Sequence, residues 1–202
     1  MALTTVRSTG ISSLPAISAA NLTSIPAANI TGTLPAIDGS ALTGLSSGLE
    51  EYDMWVVTSS FNNVPGYINS NWSRFSDTGF EKIGTGVSNS GYNFTFPSTG
   101  KYIVDFHVCA YINDTNKARF FEADIEFTND DWSNSHRLGE QYNYIASGIA
   151  NTYNSMMSTA LVDITNTTND KIRFRIGCSD DTTWAYVYGT SGTLTTGATF
   201  RK

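Results

Sequence analysis

The sequence predicts an all-β protein, an antiparallel two-sheet sandwich or jelly roll, and three observations carry that expectation. Short runs of alternating apolar and polar residues recur from residue 50 to the end of the chain. Clusters of Gly, Ser, Thr, Asn and Asp separate these runs, as turns between strands require. Aromatic residues make up 12% of the 202-residue chain and charged residues only 15%, so lysine-rich helical surfaces are missing.

The clearest element lies at 91–111. Tyr92, Phe94 and Phe96 alternate with small polar residues, and after Pro97-Ser98-Thr99-Gly100 the alternation resumes at Tyr102, Val104, Phe106, Val108 and Ala110. A period of two marks strands with one buried face. Pro97 removes a ladder donor and Gly100 tolerates a left-handed conformation, so the four residues read as a turn between two strands, together the spine of the domain. Further strands are expected at 54–59, 80–83, 118–127, 141–146, 155–164, 171–178, 184–188 and 194–201, with turns at 113–116, 129–131, 166–170 and 179–181. In 171–178, Ile172, Phe174 and Ile176 alternate with Lys171, Arg173 and Arg175, one face for the core and one for water. Residues 155–162 are apolar at both parities, so their second face is expected to meet another subunit or to lie under a loop. Cys178 shares the core parity of its strand and Cys109 does not, which favours two free thiols over a disulfide.

Residues 11–49 differ from all that follows. They contain no aromatic residue, and Leu14-Pro15-Ala16-Ile17, Ile25-Pro26-Ala27-Ala28 and Leu34-Pro35-Ala36-Ile37 repeat one another. Pro15, Pro26 and Pro35 would each cost a helix about 3 kcal/mol. One aliphatic residue every few positions has nothing in its own chain to bury against, so partner chains must supply the core. An intertwined trimeric shaft is expected, with Leu14, Ile17, Leu22, Ile25, Ile30, Leu34, Ile37, Leu42 and Leu45 facing its axis; the alternative is a flexible Ala/Ser/Thr linker. The organisation is thus an N-terminal attachment segment at 1–10, a shaft at 11–49 and a β-rich head at 50–202.

The net charge of −6, with no basic run longer than 171–175, argues against nucleic acid as a partner. No apolar stretch approaches the roughly 18 residues of a membrane span, and the N-terminus lacks the layout of a secretory signal. The sequons at Asn71 and Asn93 fall beside and inside expected strands, where a glycan would obstruct folding, so synthesis in a non-glycosylating cytosol is expected.

Catalytic chemistry is not expected. His107 lies mid-strand opposite the core face and His136 at a loop or strand start, and neither sits in a nucleophile or metal motif. Asp130-Asp131 and Asp180-Asp181 lack the alternating ligand spacing of a calcium loop and read as solvated turn acids. No cofactor and no metal are expected; the enzymatic alternative is a polysaccharide-degrading tip built from two scattered carboxylates. Trp132, Tyr142, Tyr144, Trp184, Tyr186 and Tyr188 lie in or near turn-rich regions, as candidates for stacking on sugars or anchoring protein contacts, against the alternative that they fill the core.

Trp55-Val56-Val57-Thr58-Ser59-Ser60-Phe61, Asn71-Trp72-Ser73-Arg74-Phe75, the run from Gly91 to Tyr102 and Ala198-Thr199-Phe200-Arg201-Lys202 together resemble the C1q/TNF-type jelly roll, in particular that of structural proteins of marine tailed bacteriophages. The resemblance covers about residues 52–202, and its most specific part is aromatic-Pro-x-x-Gly-x-Tyr. The Leu-Pro-Ala and Gly-Ser-Ala-Leu-Thr-Gly repeats are similar to phage fibre shafts. The resemblance implies a homotrimer on the virion surface, anchored to other virion proteins through its N-terminal segment and contacting a host-surface glycan or protein. It equally implies the alternative of a capsid-decorating fibre without a receptor role.

Overall fold

A computed structural model describes residues 48–62, 64–112, 120–144, 151–179 and 185–202. The shaft positions named above lie outside the described residues, as does Trp184. Thirteen strands follow one another: β1 (Tyr52–Val57), β2 (Ser59–Phe61), β3 (Gly66–Tyr67), β4 (Trp72–Arg74), β5 (Ser88–Ser90), β6 (Asn93–Thr95), β7 (Gly100–Ile112), β8 (Phe120–Thr128), β9 (His136–Tyr144), β10 (Thr152–Ile164), β11 (Lys171–Cys178), β12 (Ala185–Thr190) and β13 (Gly197–Arg201). Among the described residues there is no helix.

The first sheet is built on β7. β10 pairs with its whole length from Gly100 to Ile112, while its other side takes β13 near its start and β12 near its end. β13 carries β1 and then β4, and β12 carries β2. The second sheet runs β5-β6-β11-β8-β9, with β3 also on β11. Every strand pair is antiparallel. The two sheets enclose one core, as the alternation requires: Tyr102, Val104, Phe106 and Ala110 of β7 and Ile172, Phe174 and Ile176 of β11 have no solvent exposure. At its centre Phe106 stacks on Phe174 with ring centres 4.6 Å apart, Phe94 lies 5.4 Å from Phe200, and the indole of Trp72 meets Phe94 edge-on at 5.0 Å.

The turn at 97–100 has a different role from the one its sequence suggests. β6 and β7 belong to different sheets and do not pair, so Pro97 to Gly100 is a crossover between layers. The Tyr102 hydroxyl reaches back to it, donating to the Ser98 carbonyl at 3.1 Å and sharing a bond with the Ser98 hydroxyl at 2.9 Å. Gly100 has a φ of +132°, and a Cβ there would meet Lys202 Cε at 2.6 Å, so the glycine lets the last residue of the chain cross the turn. This accounts physically for the aromatic-Pro-x-x-Gly-x-Tyr pattern.

Other boundaries shift. Residues 80–83 form no strand, only a bridge from Ile83 to Tyr52, and the strand expected at 141–146 begins at His136. Cys178 packs against the core and Cys109 lies on the outer face of β7 opposite Ser155, and no disulfide joins them. Lys171, Arg173 and Arg175 are expected in water, yet their side chains are only 16, 14 and 25% exposed, because Glu126 and Asp124 of β8 and Asp131 of the turn that follows it lie alongside.

Candidate functional site

Two outer faces of the sandwich carry the molecule's unusual chemistry. On the first sheet, odd-numbered residues of β7 and β10 point away from the core and meet in pairs: Ile103 with Leu161, His107 with Met157 and Tyr111 with Tyr153. Leu161 is 64% exposed, Tyr153 53%, Met157 51% and Ile103 41%, a row of large apolar side chains that no described residue covers. At the far end of β7 the row becomes aromatic. Tyr111 stacks on Tyr186 at 5.0 Å and contacts Tyr153 at 4.8 Å, and Tyr153 meets Tyr188 edge-on at 5.6 Å. Burial, then the neighbouring phenols of Tyr153, Tyr186 and Tyr188, pushes the Tyr111 hydroxyl above the ordinary tyrosine value. Charges on this face are paired. Asp105, nearly buried, accepts from Arg201 at 2.6 Å, from Thr159 at 2.8 Å and from Thr199 at 3.3 Å, and Lys101 meets Asp163 at 2.8 Å on the rim.

The second sheet's outer face is a charge lattice. Glu122, Asp124 and Glu126 alternate along β8 with the core residues Phe121, Ala123 and Ile125. Arg175 Nη1 donates to Asp124 Oδ2 at 2.7 Å and lies 3.2 Å from Glu122 Oε1. Arg137 Nη1 donates to Glu122 Oε1 at 2.9 Å and also pairs with Glu140. Arg173 donates to Glu126 Oε2 at 2.9 Å, and its guanidinium lies between the rings of Tyr67 and Trp132, 3.9 Å from each ring centre.

The six aromatic candidates therefore separate. Tyr186 and Tyr188 join Tyr111 and Tyr153, which sequence reasoning did not single out although Tyr111 falls in the best-defined strand. Tyr142 and Tyr144 stand 55 and 61% exposed on the edge strand β9, with Tyr142 edge-on to Phe120. Trp132 lies at the opposite end of the sandwich and is already engaged: its indole donates to Asn93 Oδ1 at 2.6 Å, and its ring covers Arg173.

As for chemistry, His136 is exposed at the start of β9, and His107 is half-buried opposite Met157 and Gly197. Burial pulls the His107 imidazole below its ordinary value, against the opposing pull of Asp105, with Arg201 adding to the lowering. Glu122, Asp124 and Glu140 each place a carboxylate oxygen within 4.8 Å of the others, but Arg137 and Arg175 are bonded to them, so they do not line an open cleft. Asp130 closes its own turn by accepting from the Asn134 backbone N–H at 2.8 Å. An open surface cleft of about 470 Å³ lies elsewhere, lined by Arg74, Phe75, Asp77, Phe80, Glu81 and Lys82.

No protein-family model and no curated protein matches this chain. Solved structures do. The structure of Eiger TNF from S. frugiperda is 13% identical, with a TM-score of 0.52 over 75% of this chain and 90% of that one. Murine APRIL is 13% identical over 75% of this chain and 98% of that one, with a TM-score of 0.47. The head is a TNF-like antiparallel jelly roll.

Proposed function

We propose that this chain is a structural fibre protein of a tailed-bacteriophage virion, and that its jelly-roll head is a self-assembling homotrimer rather than an enzyme. The observation that carries the reading is the uncovered apolar row of Ile103, Tyr153, Met157 and Leu161 on the first sheet. Large exposed apolar side chains gathered on one face, here spaced by Ser155, Thr159 and Asp105, mark an interaction site. A threefold contact is heterologous, so each subunit must offer two different patches, and the aliphatic row and the tyrosine group on the same face supply two. The bacteriophage assignment rests on the resemblance of shaft and head to phage fibres.

In that reading the shaft aliphatics face one another across a trimer, and the N-terminal segment binds other virion proteins. Tyr142 and Tyr144, exposed on an edge strand, are the residues offered to a host-surface glycan or protein. Sedimentation of the full-length protein at micromolar concentration tests the assembly, with a trimer expected and a monomer overturning it. Electron microscopy of purified particles tests the place: density at the tail supports host attachment, density on the capsid supports a decorating fibre, and absence from the particle overturns the virion assignment.

A further inference from the structure

On the outer face of the second sheet, three carboxylates and two guanidiniums share one cluster, which leaves a negative charge over. Glu122 and Asp124 come from β8, Glu140 and Arg137 from β9, and Arg175 from β11. One carboxylate oxygen of Glu122 lies within 4.8 Å of one from each of Asp124 and Glu140. Asp124 has no solvent exposure, and although its Oδ2 is bonded by Arg175, its Oδ1 is buried with no hydrogen-bond partner. The backbone makes room for this crowding: a Cβ on Gly177, directly across β11 from Glu122, would meet Glu122 Oε2 at 2.3 Å. Two ionised carboxylates within 4.8 Å of each other, one with an orphaned buried oxygen, lack a donor between them.

We propose that Glu122 is held as the neutral acid in the folded head, supplying the one proton this cluster lacks, and that this proton fastens the edge strand β9 to β8 and β11. A single proton cancels the surplus charge and gives the buried carboxyl pair a donor. The guanidiniums already bridge the carboxylates, Arg137 between Glu122 and Glu140 and Arg175 between Glu122 and Asp124, so the missing positive charge is proton-sized rather than a metal ion. The other titratable groups around the cluster, among the described residues, are the Tyr142 phenol of β9, donating to Glu140 at 2.9 Å, the Tyr67 phenol of β3 beside Arg175, and the Glu126–Arg173 pair next along β8 and β11. Consistent with this geometry, burial first, and then the charge of Asp124, pushes Glu122 above the ordinary glutamate value, against the pull of Arg175.

An acid whose proton is held more tightly in the folded chain than in the unfolded one adds stability that is complete below the unfolded value of 4.5 and is lost as pH rises through the folded value. Asp130 and Glu140 are shifted downward and act below that window, where they work in the opposite sense. Within the window the folded-to-unfolded ratio changes by up to about tenfold per pH unit, one proton being linked.

The test is a carbon-detected NMR titration of the glutamate carboxyls in the full-length protein, paired with thermal midpoints of the wild type and Glu122→Gln measured from about pH 5 to about pH 8. Glu122 is expected to titrate above an unfolded glutamate, and Glu122→Gln, which keeps a donor and cannot ionise, is expected to lower the pH dependence of the midpoint relative to wild type. A Glu122 transition at or below the ordinary value, or an unchanged pH slope in the variant, overturns the proposal. Should the variant fail to fold, the wild-type titration decides alone. Millimolar calcium against EDTA at fixed pH is the third arm: a midpoint that follows calcium overturns the proposal in favour of a metal site, and an unmoved midpoint supports it.

Discussion

The two sheets present opposite solutions to the problem of an outward face. On the second sheet, β8 and β11 place acid against base across the strand pairs, so Glu126 meets Arg173 and Asp124 meets Arg175 within the same subunit. That face is satisfied from within. On the first sheet the residues at equivalent positions of β7 and β10 include Ile103, Met157, Leu161 and tyrosines, whose apolar surface no described residue covers. A sandwich with one self-paired face and one bare face has a direction of association built into its strands.

The largest expected effect breaks the self-paired face. Arg175→Met removes the closest partner of Asp124, a carboxylate with no exposure, and unpairing a buried charge typically costs about 3–5 kcal/mol. The thermal midpoint of the head should fall by roughly 6–20 °C, and a drop of a degree or two would mean that Arg137 alone suffices. Next in size is a change on the bare face. Leu161→Asp forfeits the burial of a leucine, about 1.5–3 kcal/mol per subunit, and puts a charge in the proposed contact. The variant should sediment as a folded monomer with unchanged β-rich circular dichroism; a trimer as tight as wild type would remove this face from the assembly.

A third effect sharpens the comparison through pH. His107 on the bare face has its value lowered by burial, so the stability it contributes is present above its unfolded value of 6.5 and is lost as pH falls through the folded value. That sign is opposite to the one for Glu122 on the other face. Acidification from about pH 7 should therefore lower the thermal midpoint of the head in wild type and less so in His107→Asn; identical pH profiles would show that His107 stays in water. The smallest effect on stability belongs to Tyr142→Ala with Tyr144→Ala. These side chains are more than half exposed, so the midpoint should move by under about 1 kcal/mol equivalent. Binding to host cells should nevertheless be lost, and retained binding would move host contact elsewhere.

The long strands were legible because their period survives over many residues. β7 and β11 carry three or more alternations each, and the buried parity is the one the sequence indicates; β10, apolar at both parities over 155–162, buries its even-numbered residues and leaves the odd ones outside. Ser59–Phe61, Gly66–Tyr67, Trp72–Arg74 and Ser88–Ser90 are too short to show any period, and all but the last, which pairs with the next strand, have partners farther away in the chain. The connection at 97–100 was legible as a turn between two strands but not as a crossover, since a local turn signal does not say which sheet each flanking strand joins. The acid lattice did leave a trace: Glu122-Ala123-Asp124-Ile125-Glu126 is a strict alternation that mirrors Lys171 to Arg175. Only the register of β8 on β11 turns those two patterns into ion pairs. Among the aromatics, proximity to turns was a poor guide, because it grouped Trp132, clamped on Arg173, with Tyr186 at the other end of the sandwich.

The last residue also bears on how the head carries force. Lys202 accepts backbone hydrogen bonds from Glu50 at 2.8 Å and Glu51 at 3.4 Å, donates one back to Glu51 at 3.0 Å, and its ammonium pairs with the Glu50 carboxylate at 2.7 Å. β1 then continues from this knot along β13 on one side and β4 on the other. Tension applied to the chain at Glu50 therefore pulls β1 lengthwise against two neighbours, loading its ladder bonds together in shear rather than opening them one at a time like a zip. The tyrosine group sits at the far end of β7, about nine residues along from the position level with Lys202 and so roughly 30 Å away at about 3.3 Å per residue. A head tethered at Glu50 and held at that far end would resist being dragged open along its strongest axis.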